Sequence, residues 1–330
     1  MTDKSRWEPA CSIRAMADRA KLNANIRRFF AERQVMEVET PLLGSCTVTD
    51  PALHAFKTLF HLPGQKIGQS LFLQTSPEFA MKRLLAAGSG SIYQICKAFR
   101  NEESGRHHNP EFTLLEWYRE GFTLDDLISE VESLVAEITP DDCALHCPER
   151  LTYVEAFSAH LGIHPLEATL DELAEIAVAR NIPEATALCG DDRSIWLDLL
   201  FSYFVQPLLG QGRLASLYHY PAFMPSLART CPDDERFVER VEIFLSGMEL
   251  GNGFHELKNA EEQEVRFQRD QQQREAQGLP VPDMDERLLA ALRHGLPDCA
   301  GMAIGLDRLL MAFTRRHSLS DVLAFPLGQS

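Results

Sequence analysis

The stretch SIYQICKAFRNEESGRHHNPEFTLLEWYRE, residues 91–120, holds two strand-like runs around one polar loop. Ser91 to Phe99 and Glu111 to Glu120 are the runs, and Asn101 to Pro110 is the loop, closed by Asn109-Pro110. Two runs joined this way favour antiparallel pairing. Side chains alternate along a strand, so Phe112, Leu114, Glu116 and Tyr118 share one face, while Glu111, Thr113, Leu115, Trp117 and Arg119 share the other. An acid and a phenol among apolar neighbours suit a pocket for an amine. A Glu116 paired with a structural Arg or Lys would give the same pattern. Arg100 ends the first run beside Glu102, and Arg106-His107-His108 leads into the second. A guanidinium there suits a phosphate or carboxylate clamp, although a charged surface loop would carry the same residues.

Outward from this unit, Ser12 to Val35 reads as a helix, with Ile13, Met16, Ala17, Ala20 and Ala24 at helical spacing. Glu37-Val38-Glu39-Thr40 reads as a short strand ended by Pro41. Leu71 to Thr75 reads as a strand running into Ser76-Pro77-Glu78, where Ser as N-cap, Pro at the first helical position and an acid in the first turn mark a helix that stops at Gly88. The middle of the chain is mostly helical, with capping boxes at Thr123/Asp126 and Thr169/Glu172 and a polar connector from Thr139 to Arg150. Leu214 to Tyr220 and Val238 to Leu250 read as strands, Asn259 to Gln277 as a charged surface helix, and Ala300 to Gly305 as a short strand feeding the helix Leu306 to Thr314. Strands and helices alternate irregularly, which predicts an α+β fold rather than a doubly wound parallel sheet. One catalytic domain over residues 1–330 is expected, with a helical insertion near 121–210.

The totals narrow the function. In 330 residues, 32 Lys and Arg against 48 Asp and Glu give a formal charge of −16, a field that repels polyanions and argues against general nucleic-acid binding. It leaves room for a local phosphate site. No run approaches the roughly 18–20 apolar residues that span a bilayer, and the charged start, Met1 to Pro9, lacks the apolar stretch of a secretion signal. A cytoplasmic protein is expected. Cys11, Cys46, Cys96, Cys143, Cys147, Cys189, Cys231 and Cys299 are scattered, and a chain of this size needs no disulfide staples, so buried free thiols are expected. Cys143 and Cys147 flank His146, but no second Cys/His pair stands at zinc-ligand spacing, so chance accounts for them.

Two further clusters carry chemistry. Glu242-Ile243 precedes Gly247-Met248-Glu249-Leu250-Gly251-Asn252-Gly253-Phe254-His255-Glu256, which places Glu242, Glu249, Asn252 and Glu256 around a Gly-rich turn. Carboxylates beside a phosphate site hold Mg²⁺, which takes oxygen ligands and keeps several waters, and others can receive a substrate ammonium. A solvated hairpin turn would have the same composition. In Gly301-Met302-Ala303-Ile304-Gly305-Leu306-Asp307-Arg308, small residues leave room for a flat ligand against a sheet, and Arg308 can reach a polyphosphate. No Gly-x-Gly-x-x-Gly follows a strand and no Gly-x-x-x-x-Gly-Lys occurs, so ATP needs another cradle.

In this order the clusters resemble the three signature motifs of class II aminoacyl-tRNA synthetases. The first is similar to Phe29/Phe30 through Val38-Glu39-Thr40-Pro41-Leu42, the second to Phe99-Arg100-x-Glu102 through His108-Asn109-Pro110-Glu111-Phe112, the third to Gly301-x-x-x-Gly305-x-Asp307-Arg308. Gln74-Thr75-Ser76-Pro77-Glu78 and Glu249-x-Gly251-Asn252-Gly253-Phe254-x-Glu256 resemble the lysyl branch. Two departures stand out. The first motif's helix begins near residue 12, leaving no room for the N-terminal OB-fold that reads the anticodon, and Ala303 stands where lysyl enzymes have glycine. Both resemble the truncated paralogues of that branch, which activate β-lysine and join it to a lysine side chain of elongation factor P.

The resemblance implies a six-stranded antiparallel sheet flanked by helices, in a homodimer formed through the first motif, with ATP and Mg²⁺ as cofactors. It implies Arg100 at the α-phosphate, Asn101, Glu102 and Asn109 around the adenosine, and Phe112 stacked on the adenine. Glu242 and Glu249 would hold Mg²⁺, Ile243 would line the nucleotide site, Gly305 would let the nucleotide lie close, and Arg308 would meet the γ-phosphate. Ser76, Pro77, Glu78, Glu116, Tyr118, Glu249, Asn252, Glu256 and Ala303 would surround the diamino acid. Elongation factor P is the implied protein substrate, with no tRNA and no membrane as partner. The competing readings are a lysyl-tRNA synthetase paralogue that charges tRNA, a regulator without activity, and a synthetase acting on a free small molecule. The charge of −16 opposes the first, and the presence of Arg100, Glu102, Glu249 and Arg308 opposes the second.

Overall fold

Ser12 accepts the Ala15 N–H at 3.2 Å and starts α1 (Ile13–Glu32), whose Leu22, Ile26, Phe29 and Phe30 lie on one buried face. The computed structural model describes residues 7–141, 143–224 and 227–329, so Met1 to Arg6 of the charged start lie outside it. The strands follow as β1 (Met36–Glu37), β2 (Leu43–Gly44), β3 (Lys57–Phe60), β4 (Gln69–Leu73), β5 (Ile92–Phe99), β6 (Glu111–Glu120), β7 (His146–Thr152), β8 (Arg213–Pro221), β9 (Phe237–Leu245), β10 (Met248–His255) and β11 (Cys299–Gly305). The remaining helices are α2 (Glu78–Ala86), α3 (Leu124–Ile138), α4 (Tyr153–Leu161), α5 (Leu170–Ala179), α6 (Ala185–Cys189), α7 (Arg193–Leu200), α8 (Ala260–Ala276), α9 (Glu286–Gly295) and α10 (Leu306–Phe313). Thr123 and Thr169 form the expected capping boxes, and Asn259 caps α8 through the Glu262 N–H.

The main sheet has the order β1-β5-β6-β11-β10-β9-β8-β7. Its six inner strands pair antiparallel throughout. The six-stranded expectation falls short by the two edges, where β1 pairs β5 and β7 pairs β8 in parallel. A separate sheet runs β2-β4-β3. Other boundaries differ from the sequence reading: the strand expected at 37–40 is β1 at Met36–Glu37, the one expected at 71–75 is β4 at Gln69–Leu73, and two larger differences have a physical reason. The polar connector Thr139 to Arg150 contains the start of β7, because its backbone completes the open edge of β8. The apolar run Val238 to Leu250 is two strands, folded back at Ser246 and Gly247, whose φ angles of 54° and 72° make a tight hairpin turn.

The principal core lies between one face of this sheet and α1, α3 and α10, where Phe30 stacks on Tyr93 with centroids 4.5 Å apart. Asp307 ties those layers together: its carboxylate accepts from Arg19 of α1 and, at 2.8 Å, from the Thr113 N–H of β6. A second cluster packs α4, α5 and α7 on β8 and β9, and a third packs α2 and α9 around Tyr118. All eight cysteines are free, but the expectation of burial fails for Cys147, which is exposed, and Cys46, which is half-buried. Among the described residues no helix is long and apolar enough to cross a membrane.

Candidate active site

The sheet register assembles the site. Gln94, Glu116, Ala303, Asn252 and Glu242 stand opposite one another in one row across β5, β6, β11, β10 and β9. The neighbouring row on the same face is Tyr118, Gly301, Phe254 and Arg240. Both follow from the period of two along a strand, which also sends Leu115 and Trp117 to the opposite core. All of the residues in these two rows except Gln94 and Glu242 line a cavity of about 500 Å³, whose wall also takes in Ser76, Glu78, Arg100 and Glu256. Two small residues make the room. A Cβ at Gly301 would come within 2.4 Å of the Tyr118 ring, whereas Ala303 carries its methyl at the cavity wall.

At the deep end the cavity is acidic. Glu116 is 2 % exposed; its Oε1 accepts the Tyr118 hydroxyl at 2.8 Å, and its Oε2 has no hydrogen-bond partner. Burial, reinforced by the negative charges of Glu78 and Glu256, pushes its carboxyl up to about 8. Burial likewise raises Glu256. Between Glu78 and Glu256 sits Lys82, whose Nζ is 2.6 Å from a carboxylate oxygen of each. Their attraction outweighs the desolvation of Lys82 and holds its ammonium well above the usual lysine range. α2 explains the placement: Ser76 Oγ accepts the Glu78 N–H at 3.3 Å, Pro77 is the N-cap residue, and Lys82 lies one turn beyond Glu78.

Outside the cavity lining, next to its wall residues Arg100 and Arg240, is a field of mixed charge. Arg308 donates to the backbone oxygens of His107 at 3.1 Å and Glu249 at 2.9 Å, and meets His108 Nε2 at 2.7 Å. Lost solvation and the Arg308 charge hold His108 below the usual histidine range, so its imidazole is the acceptor. Glu249 feels Glu242 as a like charge and Arg308, Arg240 and Arg100 as opposite charges; burial and Glu242 raise its carboxyl. Glu242 accepts from Arg240 and, at 2.5 Å, from the Tyr220 hydroxyl. Arg100 lies 5.1 Å from the Phe112 ring centroid, and its Nε is buried without a hydrogen-bond partner. Glu242 and Glu249 suit Mg²⁺ bound by two carboxylates, substrate phosphates and water, since their mutual repulsion is what a dication relieves. Among the described residues no group of three or more His, Cys, Asp or Glu is gathered as a metal cluster.

Several expected site residues stand elsewhere. Ile243 is 0 % exposed in the principal core, because it alternates with Glu242, so its side chain does not line a nucleotide site. Gly251-Asn252-Gly253 is not a turn but mid-strand β10, and its glycines fit against β11, where a Cβ at Gly251 would lie 2.6 Å from Ala303 O. Asn101 and Glu102 are exposed and outside the cavity, with Glu102 3.5 Å from His54. Asn109 bonds Glu111 O and the Leu327 N–H, and Gly305 joins β11 to α10. The sequence reading missed Lys82 and Arg240. The signals were an acid and a base four apart on a helix, Glu78 and Lys82, and a base two residues from an acid on a strand, Arg240 and Glu242.

A family model for tRNA synthetases class II (D, K and N) matches residues 12–329. The chain is 48% identical over 330 residues to the elongation factor P--(R)-beta-lysine ligase of Yersinia enterocolitica serotype O:8 / biotype 1B, covering 100% of both chains. It is 47% identical over 330 residues to the ligase of the same name from Pectobacterium carotovorum subsp. carotovorum, and 46% over 332 residues to that of Klebsiella pneumoniae, again covering 100% of each chain.

Proposed function

The chain belongs to the class II tRNA synthetases (D, K and N), and from that membership we propose an ATP-dependent ligase that activates (R)-β-lysine and transfers it to a lysine side chain of elongation factor P in the cytoplasm. The observation that carries this reading is the row Glu116, Ala303 and Asn252 beside Glu78 and Glu256: a deep acidic pocket sized by small residues and fit for two ammonium groups. The full-length relatives named for the same ligation support it over tRNA charging.

In this reading one domain spans residues 1–330 and includes the helical insertion near 121–210. Glu78, Glu116, Tyr118, Asn252 and Glu256, with Ser76 and Pro77 at the α2 start, hold the diamino acid. Its carboxylate faces Arg100 at the cavity wall. Arg100 receives the α-phosphate, where charge develops as that carboxylate attacks phosphorus in line and pyrophosphate leaves. Arg308 meets the γ-phosphate, Phe112 stacks on the adenine, and Asn101, Glu102 and Asn109 border the nucleotide, with Gly305 beneath it. Glu242 and Glu249 hold Mg²⁺, which neutralises phosphate charge. A lysine amine of the acceptor protein then attacks the acyl carbon of the mixed anhydride and releases AMP. The apolar side chains Met36 and Leu42, exposed within the first motif, with Leu43 just after it, support a homodimer formed there.

The test is the intact mass of elongation factor P after incubation with the enzyme, ATP·Mg²⁺ and either (R)-β-lysine or α-lysine. A gain of one lysyl group, larger with the β-isomer and absent without ATP, is expected. No gain, with tRNA charged in a parallel reaction, overturns the reading.

A further inference from the structure

We propose that Lys82 is the internal counter-ion of the amino-acid pocket, a positioning residue that sets how many ammonium groups the pocket accepts. This rests on the reading of the cavity as a diamino-acid site. Three carboxylates, Glu78, Glu116 and Glu256, meet at its deep end. Lys82 is only 2 % exposed and stands behind the Glu78 and Glu256 that line the cavity, so its ammonium is not a solvated surface charge. It takes up one oxygen of Glu78 and one of Glu256 at 2.6 Å each. Three acids with one built-in cation leave two uncompensated negative charges when all are ionised. That matches an acyl group with two ammonium ends, and it leaves a third ammonium without a partner.

The same contact fixes direction. With Glu78 Oε1 and Glu256 Oε2 engaged by Lys82, the other oxygens are the ones free to turn toward a ligand. Glu256 Oε1 lies 3.1 Å from the Cβ position of Gly301, on the row next to Ala303. Removing the ammonium frees both carboxylates to rotate and drives them to take up protons. The groups facing this cluster are Glu78 from α2, Glu116 and Tyr118 from β6, Cys96 from β5, Glu256 after β10 and Cys299 from β11.

The experiment is amino-acid-dependent ATP–pyrophosphate exchange by the full chain. If the wild-type protein exchanges with neither (R)-β-lysine nor α-lysine, the diamino-acid reading itself fails. If it exchanges, Lys82→Met, which keeps an unbranched stem one atom shorter and loses the charge, is expected to raise the amino-acid KM at pH 7 at least tenfold, with the ATP KM within twofold. The ratio of variant to wild-type KM should shrink as pH rises to 9 and the freed carboxylates lose their protons. Lys82→Ala should be rescued by n-propylammonium, which restores the missing atoms and charge, and not by n-propanol. An unchanged KM in Lys82→Met, or equal rescue by n-propanol, overturns the proposal. Should Lys82→Met not fold, Lys82→Ala prepared with n-propylammonium decides: recovery of exchange supports the counter-ion role, and its failure overturns it.

Discussion

Ala303 on β11 stands directly between Glu116 on β6 and Asn252 on β10. Its methyl therefore occupies the gap between two groups proposed to hold the substrate amine. Gly301, two residues earlier on the same face, has no such freedom, because a Cβ there would run into the Tyr118 ring. Of these two positions only 303 carries a methyl at the cavity wall without a clash. Ala303→Gly should move preference from β-lysine toward α-lysine, by about 10-fold or more in the ratio of kcat/KM values, as a methylene-sized change in a pocket allows. Pyrophosphate exchange with both isomers checks it, and an unchanged ratio would remove Ala303 from specificity.

The role proposed for Glu116 gives amino-acid binding a pH dependence with a definite sign. Its carboxyl is raised to about 8, first by burial and then by Glu78 and Glu256. Below that pH it is neutral and attracts an ammonium weakly, so binding must displace a proton. The amino-acid KM should fall as pH rises from 6 to 8, by up to about tenfold per unit for a single proton. Glu116→Gln should raise KM at pH 8 and flatten the profile. A wild-type KM that rises over this range contradicts the assignment.

How much of this was legible follows the range of each physical rule. The alternation along β6 is local, so the split between Glu116 and Tyr118 on one face and Leu115 and Trp117 on the other could be read from the sequence. The same rule puts Ile243 on the face opposite Glu242; its expected place beside the nucleotide came from resemblance and fails on alternation. Gly251 and Gly253 read as a turn because glycine marks turns, yet here they serve close packing of two strands. The row Glu116–Ala303–Asn252–Glu242 joins residues far apart in the chain, and register between such strands is fixed only by the folded sheet. Resemblance named its members; their alignment came from the structure. Cys147 escaped because burial depends on tertiary packing that composition does not encode.

Packing at Gly251 couples stability to the pocket. An added Cβ would lie 2.6 Å from Ala303 O and 2.8 Å from Ile304 Cγ1, so β10 and β11 must separate. Gly251→Ala should destabilise the fold by about 1–3 kcal/mol, the usual cost of overpacking, and lower the melting temperature by several degrees. Because the displaced atom belongs to Ala303, the amino-acid KM should rise as well. Thermal unfolding together with pyrophosphate exchange tests both. A variant with wild-type melting and KM would mean that the strands relax without strain.

Arg308 links three parts of the site: the loop after β5 through His107 and His108, β10 through the Glu249 carbonyl, and α10, which carries it. Its two backbone bonds fix the guanidinium plane, so planar geometry matters as well as charge. Arg308→Gln removes the charge proposed to meet the γ-phosphate and should lower kcat for pyrophosphate exchange by about 10²-fold or more, the scale for loss of one preorganised donor. Arg308→Lys keeps the charge but cannot make the same bonds, and should fall between. The amino-acid KM should change little in either, since Arg308 lies outside the acidic cavity. Steady-state exchange kinetics, with melting temperature as the control for the lost loop contacts, distinguish the cases. An Arg308→Gln enzyme within threefold of wild-type kcat would remove this residue from phosphate chemistry and leave it the structural role its backbone bonds already give it.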